Sequence, residues 1–86
     1  MEKGIVGLVH MNNKRREKLK QANQYLERAY EIVSNVLDDE EMSLDNIPEN
    51  LQGSEKYDKI ETAVDNLESV IESVESAQEY ISTAIE

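Results

Sequence analysis

Six carboxylates, Glu61, Asp65, Glu68, Glu72, Glu75 and Glu79, recur at spacings of three and four residues in the second half of an 86-residue chain. On a helix they form one stripe that advances roughly 5 Å per charge. A strand of B-DNA carries one phosphate per ~3.4 Å, so a single such helix is a sparse imitation of a phosphate row and two adjacent helices would be a closer one. The chemistry open to this stripe is therefore attraction of basic surfaces. The competing reading is a solvated face that keeps the protein soluble.

No other constellation supports catalysis. There is no cysteine, and the only histidine, His10, precedes every helical pattern, so a Glu-x-x-His dimetal site of the bundle type cannot be assembled. Asp38-Asp39-Glu40-Glu41 with Asp45 lacks the spacing and the glycine of a calcium loop. No nucleophile and base pair, and no glycine-rich phosphate loop, is present. The expectation is a non-enzymatic protein without cofactor or metal.

Charge is polarised along the chain. Residues 1–37 hold seven bases and four acids, whereas residues 38–86 hold two bases and fifteen acids, for a net −10. Such a balance disfavours direct binding to nucleic acid or to an anionic membrane, and favours a basic or nucleic-acid-binding protein as partner. The basic cluster Lys14, Arg15, Arg16, Lys18 and Lys20 has no interleaved aromatics and is a weak phosphate-binding signal. Its expected role is pairing within the chain. The absence of cysteine gives no sign of an oxidising compartment, and no apolar run is long enough to span a bilayer, so a cytoplasmic protein is expected.

The element that carries the acidic stripe is the clearest in the chain. From Ile60 a seven-residue pattern repeats as IETAVDN, LESVIES, VESAQEY and ISTAIE. It stacks Ile60, Leu67, Val74 and Ile81 in one column, Ala63, Val70, Ala77 and Ala84 in a second, and Val64, Ile71, Gln78 and Ile85 in a third. Three adjacent columns predict a long helix, about 54–85, packed along its length. Ser54 is placed to cap it, with Glu55 and Asp58 in the first turn. Opposite the acidic stripe lie Thr62, Ser69, Ser76 and Thr83 with Asn66, Ser73 and Tyr80. This neutral side, with Asn66, Ser69, Ser73, Ala77 and Tyr80 as its contact residues, is expected to admit a second helix pair. Simple solvation of the serines is the alternative.

A first helix is expected over about 12–39, capped by Asn12 or Asn13. Its apolar face is read as Leu19, Ala22, Leu26, Ala29, Val33 and Val36, widened by Tyr25 with Ile32 and by Tyr30 with Leu37. Residues 40–53 form the expected connector, in which Pro48 and Gly53 bracket one turn of helix and Met42, Leu44, Ile47 and Leu51 plug the hairpin end. Residues 1–11 are read as a flexible leader, with Met11 as an alternative start. An antiparallel arrangement would bring the basic start beside Glu75, Glu79 and Glu86. The fold class is thus all-α: a coiled-coil-like antiparallel two-helix hairpin over residues 12–86, expected to dimerise into a four-helix bundle because a hairpin of this length is marginal alone.

The stretch NIPENLQGSEKYDKIETAVDNLESVIESVESA, residues 46–77, following the basic start at Met11 to Arg16, resembles a set of short acidic helical proteins encoded by phages and mobile elements of Gram-positive bacteria. Their shared connector reads Leu/Ile-Pro-Glu-x-Leu/Ile-Gln-x-Ser-Glu. This chain departs in its ten additional N-terminal residues and its many serines. The resemblance implies a setting, phage or mobile element, rather than a mechanism; together with the helical patterning, the leading expectation is an accessory protein that acts by protein–protein binding. An anti-defence inhibitor, of anti-CRISPR or anti-restriction type, whose acidic face mimics nucleic acid is the second expectation.

Overall fold

Asn12 ends its extended backbone by accepting a hydrogen bond from the Arg15 amide at 2.9 Å, and helix α1 (Asn13–Asp45) starts there. The computed structural model describes residues 11–86, so the expected leader lies outside the described residues except for Met11. No glycine or proline interrupts the chain between Asn13 and Asn46. That uninterrupted composition carries α1 six residues past the expected end at 39. The acidic run does not stop the helix, because Glu is a good helix former and Asp weakens propensity only modestly, while Leu44 and Ile47 continue the packing spacing set by Leu37.

The connector is correspondingly shorter than residues 40–53. Asn46 closes α1 by donating to the carbonyls of Met42 and Leu44, and Pro48 then leads into a single 3-10 turn, Glu49–Leu51. Leu51 N–H donates to the Pro48 carbonyl at 2.8 Å. Gly53 does not occupy the left-handed region, and a Cβ there would meet nothing within 4 Å. The cap after the turn is Gln52, so no glycine is required. Ser54 accepts from the Tyr57 amide at 3.2 Å and starts helix α2 (Glu55–Ala84), with Glu55 and Asp58 in the first turn as expected.

The described residues contain these two helices and no strand. α2 folds back antiparallel along α1, as the hydrogen bonds from Arg16 to Ile85 and from Asn23 to Gln78 and Ser82 require. Each helix meets the other through one heptad seam. On α2 and its C-cap the seam runs through Tyr57, Ile60, Val64, Leu67, Ile71, Val74, Gln78, Ile81 and Ile85, with Ala63 and Ala77 half-buried beside it; on α1 and just beyond its end it runs through Arg16, Leu19, Asn23, Leu26, Tyr30, Val33, Leu37, Glu40, Leu44 and Ile47, with Ala22 and Ala29 half-buried beside it. Both series alternate steps of three and four, which is coiled-coil packing. No helix among the described residues is long and apolar enough to cross a membrane.

Two sequence expectations are corrected here. The α1 seam is rotated by one residue, so Tyr25 (68% exposed), Ile32 and Val36 lie outside it. At the connector, Leu44 and Ile47 enter the seam while Met42 and Leu51 stay exposed instead of plugging the end. The core is thin. Val64, 8% exposed, is the one fully buried large hydrophobic among the described residues.

Candidate interaction surfaces

The seam leaves each helix two flanks, and the hydrogen bonds between the helices decide which flanks share a side. Gln78 Nε2 donates to Glu27 Oε1 at 3.0 Å, and Asn23 Nδ2 donates at 3.4 Å to Ser82 Oγ. Glu27 and Ser82 therefore lie on one side of the hairpin. Heptad steps from Glu27 reach Ser34 and Glu41; steps back from Ser82 reach Glu75, Glu68 and Glu61.

That side is acidic on both helices. Glu61, Asp65, Glu68, Glu72, Glu75 and Glu79 are all exposed on α2, as the expected stripe requires. α1 adds exposed Glu27, Glu31, Asp38 and Glu41. From the sequence none of the four is assigned to an acidic stripe; Asp38 and Glu41 are weighed there only within the rejected calcium-loop cluster. Their signal is the shared heptad phase of the two helices, visible only once the α1 seam is placed at Asn23, Tyr30 and Leu37. The second acidic row, which the sequence reading sought from a dimer, is supplied by the same chain. Ten carboxylates over residues 61–79 of α2 and the facing part of α1 span roughly 27 Å, or one charge per ~2.7 Å of axis. Duplex DNA presents one per ~1.7 Å and a single strand one per ~3.4 Å, so the flank falls between them. Among the described residues only Glu31 of the ten has a cation in reach, Arg28 Nη1 at 3.6 Å.

The opposite side is apolar and neutral. α1 presents Ala22, Tyr25, Ala29, Ile32 and Val36; α2 presents Ala63, Asn66, Val70, Ser73, Ala77 and Tyr80. Of the seven exposed large hydrophobics among the described residues, five fall here: Tyr25, Ile32, Val36, Val70 and Tyr80. Asn66, Ser69, Ser73 and Ala77 line an open groove of ≈ 490 Å³ with Leu26, Val70 and Val74. Four of the five residues expected to mediate self-association are thereby brought together, and Tyr80, 74% exposed, lies farther along the same side.

The basic end behaves differently from expectation. Ion pairs among the described residues are local: Lys20 with Glu17, Arg28 with Glu31, and Lys59 with Glu55. Among the described residues no ion pair joins the basic start to Glu75, Glu79 or Glu86. The register explains this for Glu75 and Glu79, because Asn23 is level with Gln78, so the cluster from Lys14 to Lys20 lies beyond Glu79 towards the end of α2. Arg16 Nε instead donates at 3.0 Å to the Ile85 carbonyl, meeting the negative end of the α2 dipole.

One layer of the seam is polar. Asn23 Nδ2 reaches the Gln78 carbonyl at 3.5 Å as well as Ser82, while Asn23 Oδ1 is buried without a partner. A buried amide within an apolar seam fixes register at a cost in stability. Among the described residues no group of three or more His, Cys, Asp or Glu is arranged to hold a metal ion. No family model matches the chain, and comparison with curated proteins and with solved structures finds no significant match.

Proposed function

We propose that the chain is a non-enzymatic protein-binding module, an accessory protein of the kind phages and mobile elements encode, which self-associates through one flank of its hairpin and presents the other to a basic partner in the bacterial cytoplasm. The observation that carries this reading is the segregation of surface chemistry. A monomeric hairpin with no partner gains nothing by collecting its exposed tyrosines, isoleucine and valines on one flank and ten carboxylates on the other. The thin core adds weight, since one fully buried residue leaves little apolar burial to offset the entropy of ordering two long helices.

Solution mass by light scattering at 50 mM and 500 mM NaCl, with far-UV circular dichroism, tests it. Association through an apolar flank persists or strengthens when salt screens the carboxylates. A helical monomer at both salt concentrations would remove self-association from the proposal.

The doubled acidic row favours a second reading, an anti-defence inhibitor that competes with nucleic acid on a host nuclease or restriction enzyme. Here the carboxylates do the binding. Inhibition of DNA cleavage by a panel of restriction endonucleases should then weaken steeply between 50 and 300 mM salt, and a Glu68→Gln/Glu72→Gln/Glu75→Gln/Glu79→Gln variant should lose it. Inhibition unchanged by the four substitutions would sink the mimic.

A further inference from the structure

Resting on the self-association reading, we infer that the neutral flank is covered by a second copy of this chain, related by a two-fold axis perpendicular to the helices that passes beside Ala29 and Ser73, so that α1 packs antiparallel on α1 and α2 on α2. The flank's own sequence selects this arrangement. Along α1 it reads Arg15, Lys18, Ala22, Tyr25, Ala29, Ile32, Val36 and Asp39, basic at one end, apolar in the middle and acidic at the other. Reversing a second copy about Ala29 sets Tyr25 against the other copy's Ile32, Ala22 against its Val36, and Lys18 against its Asp39. Each of these contacts occurs twice by symmetry.

The α2 side is centred at the same height without further adjustment. About Ser73, reversal pairs Val70 with Ala77 and Asn66 with Tyr80, setting an amide opposite a phenol and keeping small side chains at the point of closest approach. Stepping six residues forward from Asn23 and six back from its neighbour Gln78 places Ala29 opposite Glu72, one residue from Ser73. Two independent sequence centres thus fall on one axis.

The alternative two-fold axis, parallel to the helices, would put α1 beside the second copy's α2. It would gather both basic starts at one end of the assembly and both connector ends, with Asp38, Asp39, Glu40, Glu41 and Asp45, at the other. The reversed arrangement brings basic start against acidic end instead. Size is adequate. The stretch from Lys18 to Asp39 is roughly 32 Å long, and across two helices about 19 Å wide its projection is roughly 600 Å², comparable to the about 800 Å² per partner of a stable interface. Both acidic flanks remain on the outside of the resulting four-helix bundle, available to another molecule.

Single cysteines in the otherwise cysteine-free full chain test the geometry. Oxidised Ala29→Cys should run as a covalent dimer, whereas Asp65→Cys on the acidic flank should not. Lys18→Glu should raise the dimer dissociation constant roughly tenfold, and Lys18→Glu/Asp39→Lys should restore it. A wild-type dimer by light scattering in which Asp65→Cys cross-links and Ala29→Cys does not would overturn the arrangement while leaving self-association standing. A dimer that the double charge swap fails to restore would overturn the register. A wild-type chain that remains a helical monomer at 100 μM would overturn both the arrangement and self-association, and would mean that another protein covers the flank.

Discussion

Arg16 and Ile85 lie 69 residues apart, and the Arg16 Nε–H bond to the Ile85 carbonyl, 3.0 Å long, ties the first turn of α1 to the last of α2. The guanidinium satisfies a carbonyl that has no partner within its own helix and sits at the negative pole of that helix. The next long-range side-chain bonds among the described residues are two turns or more from these ends, from Asn23 to Gln78 and Ser82 and from Gln78 to Glu27. Arg16→Ala should destabilise the hairpin by about 1–2 kcal/mol. The loss should concentrate at the α2 C-terminus, read as faster amide hydrogen exchange for Ile81 to Ile85 with little change around Val64. A uniform acceleration would mean that Arg16 contributes to the seam as a whole.

The polar layer of Asn23 and Gln78 predicts the opposite sign. Asn23→Leu/Gln78→Leu removes a buried oxygen without a partner and extends the apolar seam, so resistance to urea should rise by about 1–3 kcal/mol. Pairing should become less selective at the same time, because a lone seam amide is what penalises a heptad slip. Extra backbone resonances for residues near 23 and 78 would report that slip. A variant that is more stable and still gives a single set of resonances would show that Arg16 and the connector fix register without the amide.

Why α2 was legible in the sequence and α1 only partly follows from their compositions. Ile60, Leu67, Val74 and Ile81 with Val64, Ile71 and Ile85 leave the α2 seam one apolar phase to occupy, and the acidic stripe on its flank follows directly. In α1 two apolar phases overlap. Leu19, Leu26 and Val33 belong to either, and within the expected helix 12–39 the sequence favours the phase of Ala22, Ala29 and Val36, with three apolar members against Tyr30 and Leu37. The structure takes the other, through Asn23, Tyr30 and Leu37. Hydropathy could not signal that choice, because two of the deciding positions, Arg16 and Asn23, are polar and act through hydrogen bonds to α2. The other phase borders the neutral flank, with Ala22 and Ala29 half-buried at the seam's edge and Val36 exposed. The second acidic row was missed for the same reason, since Glu27, Glu31, Asp38 and Glu41 join the α2 stripe only when the seam is correctly phased.

Gly53 offers a test of the connector. Its backbone lies outside the left-handed region and nothing stands within 4 Å of an added Cβ. Gly53→Ala should therefore stabilise the hairpin by about 0.4–1 kcal/mol through reduced freedom of the unfolded chain. Thermal melts at fixed protein concentration would show it. A destabilised variant would indicate that residue 53 must visit conformations closed to alanine.

The acidic flank predicts how stability responds to salt and to one charge reversal. Glu68 stands one helical turn from Asp65 and from Glu72, with Glu61 and Glu75 a further turn away on the same side. All are exposed, so their mutual repulsion is screened as ionic strength rises. The melting temperature should increase by several degrees between 10 mM and 500 mM NaCl, against the usual loss of exposed ion pairs. Glu68→Lys replaces two repulsive neighbours by two attractive ones at steps of three and four, and should add about 0.5–1 kcal/mol at 10 mM salt. Most of that gain should vanish at 500 mM. If the reversal is instead neutral at low salt, the flank's carboxylates do not repel one another enough to matter. Nothing in the energetics would then mark them off from a solvated face, and the nucleic-acid-mimic reading would lose the dense charge on which it depends.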